Sequence, residues 1–154
     1  MMSANESRVQ VSWRGDRRYE VSRPGAPAMT IDGNREAGPG PVEALLASLA
    51  ACSAIDVVDY LEKRRTPASR LDVAVDAMRD ATPPRRVRRA RLDFAIDGDG
   101  IDAVHAERSI ALAFSTYCSV GATLAPDVEL STRLTLNGVT GADVVHRVGM
   151  TARS

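Results

Sequence analysis

Two cysteines, Cys52 and Cys118, are the residues of this 154-residue chain whose types are best suited to chemistry. A thiolate is a nucleophile, and two thiols that meet in a fold can form a disulfide and be reduced again. A free cysteine taken alone is more often a small buried hydrophobe than a reactive group. The pair therefore predicts either thiol redox chemistry or two inert core side chains.

The residues around each thiol predict different reactivities. Asp56 follows Cys52 by one helical turn, so burial and a neighbouring carboxylate would both disfavour the Cys52 thiolate. Cys118 precedes a predicted short helix over residues 119–124, and a helix amino terminus favours thiolate. On these grounds alone Cys118 is the better nucleophile. Cys52 would need an arginine from elsewhere in the fold.

The element that positions Cys52 is a predicted helix over residues 41–64. Pro41 suits a first helical turn, and Glu43 suits the positive end of the helix dipole. The first half of this helix is apolar on nearly every face, which predicts burial on all sides. Because one small chain could not easily cover it, we expect a homodimer formed through this helix.

The remaining patterns predict an α+β domain with helices on a largely antiparallel sheet. Alternating apolar residues predict strands at 8–13, 18–22, 28–32, 70–78, 87–96 and 128–136. A second helix is predicted over 101–117. We expect one domain over residues 1–154, with loosely attached tails at 1–6 and about 138–154.

Composition argues against several classes of partner. Twenty basic and twenty acidic residues cancel and aromatic residues make up only 4% of the chain, so we expect no nucleic acid partner. The arginines over 85–91 are predicted to form a solvated hairpin tip. The amino terminus is polar and the longest apolar run, 44–55, is too short to span a bilayer. We therefore expect a cytoplasmic protein with no membrane partner.

Two motifs carry a resemblance to a known family. The stretch Gly-Pro-Gly-Pro-Val-Glu-Ala-Leu-Leu-Ala-Ser-Leu-Ala-Ala-Cys52-Ser-Ala-Ile-Asp-Val-Val, followed later by Tyr117-Cys118-Ser119-Val120, resembles the OsmC/Ohr family. This family comprises osmotically inducible protein C and the organic hydroperoxide resistance proteins. The wording Cys-Ser-Ala-Ile-Asp-Val-Val is most similar to its YhfA-like branch. The resemblance covers residues 8–136 and implies an OsmC-like fold, in which an intertwined homodimer packs antiparallel sheets around two long central helices.

The resemblance also implies thiol-dependent reduction of hydrophobic organic hydroperoxides. Cys52 would attack the peroxide oxygen and become a sulfenic acid, and Cys118 would condense with it to a disulfide. An external dithiol, of the lipoyl type in the family, would then reduce the disulfide. No organic cofactor is implied, and no metal is expected because the two histidines and two distant cysteines lack zinc-site spacing.

Family members also use an arginine that stabilises the thiolate. Arg35 lies in the region that supplies this arginine in OsmC-type members. Arg14 and Arg17 lie in the region that supplies it in Ohr-type members. We rank Arg35 first.

The glutamate that orients this arginine directly follows the helix proline in the family's peroxidases, ten positions before the cysteine. Here Val42 occupies that place and Glu43 comes one residue later. Nine positions turn a regular helix by about 900°, which places Glu43 about opposite Cys52. Glu43 is therefore either the partner of the arginine or only a first-turn partner of the helix dipole.

Three functions follow as hypotheses. The first is a two-cysteine peroxidase. The second is a redox-sensing or small-molecule-binding dimer of the same fold without peroxidase activity, which the displaced glutamate and Asp56 would favour. The third treats both thiols as core filler and predicts that the two sulfurs lie too far apart to bridge.

Overall fold

The structure, a computed structural model, describes residues 4–147. The chain divides after Leu46 into two compact units, and the boundary falls inside a helix. The expectation of one domain over residues 1–154 stays a prediction.

The first unit holds an antiparallel three-stranded sheet. Its strands are β1 (Gln10–Trp13), β2 (Arg18–Ser22) and β3 (Met29–Asp32), paired in the order β1-β2-β3. The chain turns between β1 and β2 through Gly15 and Asp16, which both have positive φ (97° and 47°). Glycine adopts such angles without strain and aspartate tolerates them. The three strands predicted at 8–13, 18–22 and 28–32 are confirmed, with a later start for the first and the third.

Helix α1 (Pro41–Lys63) begins where the sequence predicts and ends one residue earlier. Its buried residues recur at nearly four-residue spacing, so within one chain the helix buries one face: Leu49, Ala50, Ser53, Val57 and Leu61. Burial on all sides is expected through a homodimer, so it stays a prediction. Ile55 remains 61% exposed, because no other element of the described chain covers that face.

By length and composition α1 could cross a membrane. An 18-residue window of it has a mean hydropathy of 1.7, and 28% of that window is buried. The whole helix is thus long enough to cross a membrane, although its apolar core, 44–55, is too short to do so. The core helix of a soluble protein passes the same test, so this finding is weak evidence for a membrane span.

The second unit holds a five-stranded sheet. Its long strands are β4 (Arg70–Arg79), β5 (Val87–Asp97) and β6 (Glu129–Leu136). The pairing of β4 with β5 is antiparallel, whereas β6 runs parallel to β5. The sheet is therefore largely antiparallel, as predicted, and β5 with β6 is its one parallel pair among the described residues. A parallel neighbour needs a crossover, and the helical segment between β5 and β6 supplies it.

That crossover consists of three pieces. Helix α2 (Ala103–Leu112) is capped by Asp102, whose carboxylate accepts from the His105 N–H at 2.9 Å. A π-helical turn (Ala113–Tyr117) follows, and α3 (Ser119–Thr123) comes after Cys118. The core of this unit packs apolar residues of the sheet with those of the crossover: Ala90, Leu92, Phe94, Ile96, Ile110, Ala113, Phe114, Leu130, Leu134 and Leu136.

Two short strands correct the prediction of a loose tail from about residue 138. Strands β7 (Val139–Thr140) and β8 (Val144–His146) both pair antiparallel with β6. The His146 ring packs on Phe114 with centroids 5.1 Å apart and shares a 2.7 Å hydrogen bond with Thr132 Oγ1. Strands this short show no periodicity in sequence. Residues 1–3 and 148–154 of the predicted tails lie outside the described residues.

Four of the five arginines over 85–91 pair with carboxylates: Arg86, Arg88, Arg89 and Arg91. Arg88 Nε lies 2.7 Å from Asp80 and Arg89 Nε lies 3.0 Å from Glu129. Arg86 is paired with Asp127. These charges are therefore balanced locally.

Candidate functional site

Cys52 lies near the middle of α1 and is half-buried. The next residue, Ser53, is fully buried, and its hydroxyl donates to the carbonyls of Leu49 and Ala50 at 3.0 Å. That local hydrogen bonding lets a polar side chain sit on the buried face without an unsatisfied hydroxyl. Cys52 is therefore placed at the edge of this face, partly open to solvent.

Cys118 is held by the π-helical turn that precedes it. Its N–H donates to the Ala113 carbonyl at 2.7 Å, and its backbone then becomes extended (φ −70°, ψ 100°). The Cys118 Sγ accepts a hydrogen bond from the Gly121 N–H at 3.3 Å. Only 2% of the residue is exposed. The backbone on both sides therefore fixes the position of the Cys118 thiol.

The two thiols interact. Burial raises the pKa of the Cys118 thiol to about 11, the Gly121 N–H opposes this rise, and a hydrogen bond with Cys52 and the charges of Cys52 and Asp56 add to it. Both cysteines are free. The fold thus brings together two side chains that are far apart in sequence, which counts against the hypothesis that both are unrelated core filler.

The thiolate that local sequence predicts at Cys118, from the helix start after it, is not favoured in the structure. The helix that begins after Cys118 is only five residues long, and desolvation of the thiol outweighs the single N–H it receives. Cys118 is therefore held as a thiol. Cys52, the more exposed of the two, is the sulfur that a substrate reaches more easily.

Asp56 is a third ionisable group of the second unit, and its charge acts on Cys118. It follows Cys52 by one turn of α1, and its Oδ2 is buried with no hydrogen-bond partner among the described residues. Burial raises the pKa of this carboxyl, and the charge of Asp59 adds to the rise. The sequence indicated Asp56 as a neighbour of Cys52, but its electrostatic effect on Cys118 depends on the tertiary fold.

Arg35 and Glu43 meet in the first unit. The Arg35 Nε lies 3.2 Å from Glu43 Oε1, and Glu43 Oε2 accepts from the Gly40 N–H at 2.8 Å. Gly40 directly precedes α1, so Glu43 fills half of a capping box. Glu43 therefore serves both as a first-turn partner and as the partner of an arginine. The alternative Arg14 is paired with Glu20 at 2.9 Å.

Asp32 is a residue of the same loop that the sequence did not single out. Its side chain is fully buried and accepts from the N–H groups of Asn34 (2.9 Å), Glu36 (3.2 Å) and Ala37 (2.9 Å). These hydrogen bonds, that from Ala37 most, hold the pKa of the Asp32 carboxyl below its ordinary value. The sequence Asp-Gly-Asn favours a turn, but it does not predict a carboxylate that organises the turn.

Arg35 lies inside the loop that Asp32 holds. Its φ is 61°, a left-handed conformation that is strained for arginine, and its N–H donates to the Asp32 carbonyl at 3.0 Å. Such backbone strain persists only where the surrounding structure enforces it. The hydrogen bonds to Asp32 and the ion pair with Glu43 supply that constraint.

Within residues 4–147, no group of three or more His, Cys, Asp and Glu side chains could hold a metal ion.

A known family profile matches the region of the chain that contains both cysteine motifs. Residues 32–133 match the profile of a family described as OsmC-like protein. Protein YhfA of Escherichia coli strain K12 is 31% identical over 102 residues, which are 66% of this chain and 76% of YhfA. These likenesses confirm the resemblance that the two cysteine motifs indicated.

Solved structures share the fold. An OsmC-like protein from Mycoplasma pneumoniae has a TM-score of 0.74 at 19% identity, covering 87% of this chain and 99% of that one. The organic hydroperoxide resistance protein OhrB of Bacillus subtilis has a TM-score of 0.53 at 16% identity, covering 84% and 98%. The predicted α+β, OsmC-like fold is therefore confirmed.

Proposed function

Because the chain belongs to the OsmC-like protein family, we propose that it is a thiol-dependent peroxidase that reduces organic hydroperoxides with Cys52 and Cys118. Membership of this family and a fold shared with proteins named for organic hydroperoxide resistance support a redox or stress-related function. The observation that carries the finer proposal is the interaction between the two thiols.

The cycle begins at Cys52, the half-buried thiol. Its thiolate attacks the terminal oxygen of the hydroperoxide, the O–O bond breaks, and an alcohol leaves after taking up a proton. Cys52 is then a sulfenic acid. Ile55, an exposed apolar side chain of α1, follows Cys52 by three residues and suits a hydrophobic organic group.

Cys118 completes the cycle. Its thiol condenses with the sulfenic acid to give a disulfide and water, and an external dithiol then reduces that disulfide. Burial keeps Cys118 away from free peroxide, so the order of reaction follows from exposure. The reductant, a dithiol of the lipoyl type, comes from the family resemblance.

Arg35 and Glu43 are the residues we propose as the activating pair. Their ion pair forms although the glutamate is one position later than in the family's peroxidases. A positive charge stabilises a nearby thiolate. If Arg35 has this role, its loss should lower the rate of reaction of Cys52 with peroxide at neutral pH by about tenfold or more.

Replacing single arginines distinguishes the candidates. Arg35→Met should slow oxidation of Cys52 by cumene hydroperoxide in stopped-flow measurements, whereas Arg14→Met should not. The reverse result would move the role to Arg14, and slowing by Arg17→Met alone would move it to Arg17.

A homodimer is part of the same proposal. Much of the apolar surface of α1, including Ile55, is exposed in one chain. A second copy packed against this helix would remove that apolar surface from water. Burial of apolar surface is the usual driving force for such association. The cytoplasmic location and the absence of nucleic acid and membrane partners stay predictions.

A turnover assay tests the activity. Purified protein should consume cumene hydroperoxide with dihydrolipoamide as reductant, and Cys52→Ser should lower the rate to that of the uncatalysed reaction. Cys118→Ser should retain one round of oxidation. Unchanged turnover in Cys52→Ser would show that another group attacks the peroxide.

A redox sensor of the same fold is the second candidate. The high pKa of Cys118 favours it, because a buried thiol that is slow to react would suit a switch better than a rapid cycle. A sensor would form the disulfide with peroxide and show no dithiol-driven turnover.

A further inference from the structure

We propose that the Asp56 carboxylate is the base that removes the proton from the Cys118 thiol when that thiol closes a disulfide with Cys52. This inference rests on the two-cysteine cycle proposed above. It assigns a role in catalysis to a residue outside the pair of thiols and outside the pair formed by Arg35 and Glu43.

The placement of Asp56 comes from α1. Residues four positions apart on a helix are neighbours on one face, and side chains tilt towards the helix amino terminus. The Asp56 side chain therefore leans towards Cys52, the residue one turn before it. Cys118 interacts with Cys52, and the charge of Asp56 contributes to the raised pKa of Cys118. The three groups therefore form one cluster, with Cys52 and Asp56 from α1 and Cys118 from the crossover.

The chemistry of Cys118 calls for a base. A thiolate is the attacking species in disulfide formation, and a buried thiol with a pKa of about 11 is almost entirely protonated at neutral pH. A positioned general base raises the rate of such a step by about 10² to 10⁴-fold. The backbone donor at Cys118, the Gly121 N–H, can stabilise the thiolate but cannot accept the proton.

Asp56 has the properties of that base. Its Oδ2 is buried and, among the described residues, has no hydrogen-bond partner, so an acceptor site is unused. Buried acceptors are usually paired, and an unpaired one lowers stability. The raised pKa of the carboxyl makes it a stronger base than an exposed aspartate.

The step balances. Asp56 takes the proton from the Cys118 Sγ, and the electron pair of that sulfur forms the bond to the Cys52 sulfur. The S–O bond of the Cys52 sulfenic acid breaks, and the departing hydroxide takes the proton back from Asp56 to leave as water. Asp56 is returned to its starting state, and no outside oxidant or reductant is needed.

A disulfide-exchange assay tests this role without peroxide. The probe is 2,2′-dithiodipyridine, which first forms a mixed disulfide at Cys52 and releases one pyridinethione. Attack by Cys118 then closes the protein disulfide and releases a second. In Cys118→Ser only the first phase should remain, which identifies the second phase as the attack by Cys118.

We expect Asp56→Asn to slow the second phase by about 10²-fold relative to the first phase of the same variant. Asp56→Glu, which keeps a carboxylate, should recover most of the rate. Glu62→Gln, a matched change at an exposed position of α1, should leave both phases unchanged. A second phase in Asp56→Asn as fast as that in Glu62→Gln would overturn the inference.

The pH profile separates a base from a merely structural carboxylate. The titratable groups that act electrostatically on Asp56 and Cys118 are Cys52 and Asp59. Without the base, the second phase should rise about tenfold per pH unit below the Cys118 pKa, because only hydroxide then supplies thiolate. Wild type should rise less steeply. A tenfold rise per unit in wild type itself would overturn the inference even if no Asp56 variant folds.

Failure of the peroxidase proposal would look different. In that case cumene hydroperoxide would leave both thiols reduced in wild type, while the two phases with 2,2′-dithiodipyridine would still report on Asp56.

Discussion

At the scale of single residues, the two thiols have opposite settings. Cys52 is half-buried on α1, and Cys118 is buried at the end of a π-helical turn with its pKa raised to about 11. These settings fit the proposal that Cys52 attacks the peroxide and that Cys118 stays a thiol until it closes the disulfide. Local sequence suggested the opposite order, because it contains the helix start at residue 119 but not the burial of Cys118.

Asp32 gives a prediction at the same scale. Asp32→Asn should lower the urea midpoint at pH 7, because an amide nitrogen would face N–H groups that now donate to a carboxylate, such as those of Glu36 and Ala37. Asp99→Asn, at an exposed turn, is the matched control and should unfold like wild type.

The pH dependence of Asp32 has a defined sign. Its pKa lies below the ordinary value of 3.8, so its contribution to stability is present above about pH 3.8 and is lost as pH falls through the folded-state pKa. The difference between wild type and Asp32→Asn in urea should therefore shrink in that acid range. A difference that stays constant down to pH 2 would mean that the carboxylate charge does not stabilise this loop.

At the scale of secondary-structure elements, α1 is the element that carries Cys52 and whose bounds the sequence predicts best. Its predicted start at Pro41 is confirmed and its end differs by one residue, because proline, glutamate and terminal basic residues are local signals. The strand pairings were less predictable. Nothing in the alternation of β5 and β6 specifies that they run parallel, and β7 and β8 are too short to show a period.

The buried face of α1 gives a second prediction. Leu61→Ala should lower the free energy of unfolding by about 2–5 kcal/mol, because Leu61 is fully buried and the truncation leaves a cavity. Urea denaturation followed by circular dichroism measures the change. A loss under about 1 kcal/mol would mean that the helix does not pack as described.

The candidate site, like the strand pairings, could be predicted only in part from the sequence. Motif resemblance identified Cys52, Cys118, Arg35 and Glu43 as a set, and the structure brings the two thiols together and pairs Arg35 with Glu43. The catalytic roles of these residues stay predictions. Asp32 could not be found from local pattern, because its importance lies in three backbone N–H groups that only the folded loop directs towards it.

At the scale of the whole molecule, the exposed apolar surface of α1 predicts self-association. Ile55→Arg should convert a dimer into monomers in analytical ultracentrifugation, because a charge at a packed apolar contact would be desolvated. Met78→Arg, a change at a comparably exposed residue on β4, should leave the dimer intact. A wild-type protein that sediments as a monomer at all concentrations would rule out this part of the proposal.

The central claim is that Cys52 and Cys118 form one peroxide-driven redox pair. Mass spectrometry after one equivalent of cumene hydroperoxide tests it most directly, with wild type, Cys118→Ser and Cys52→Ser treated in parallel. We predict a Cys52–Cys118 disulfide in wild type, a trappable sulfenic acid on Cys52 in Cys118→Ser, and an unmodified Cys118 in Cys52→Ser. Two reduced thiols in treated wild type, or a Cys118 that oxidises readily without Cys52, would contradict the account.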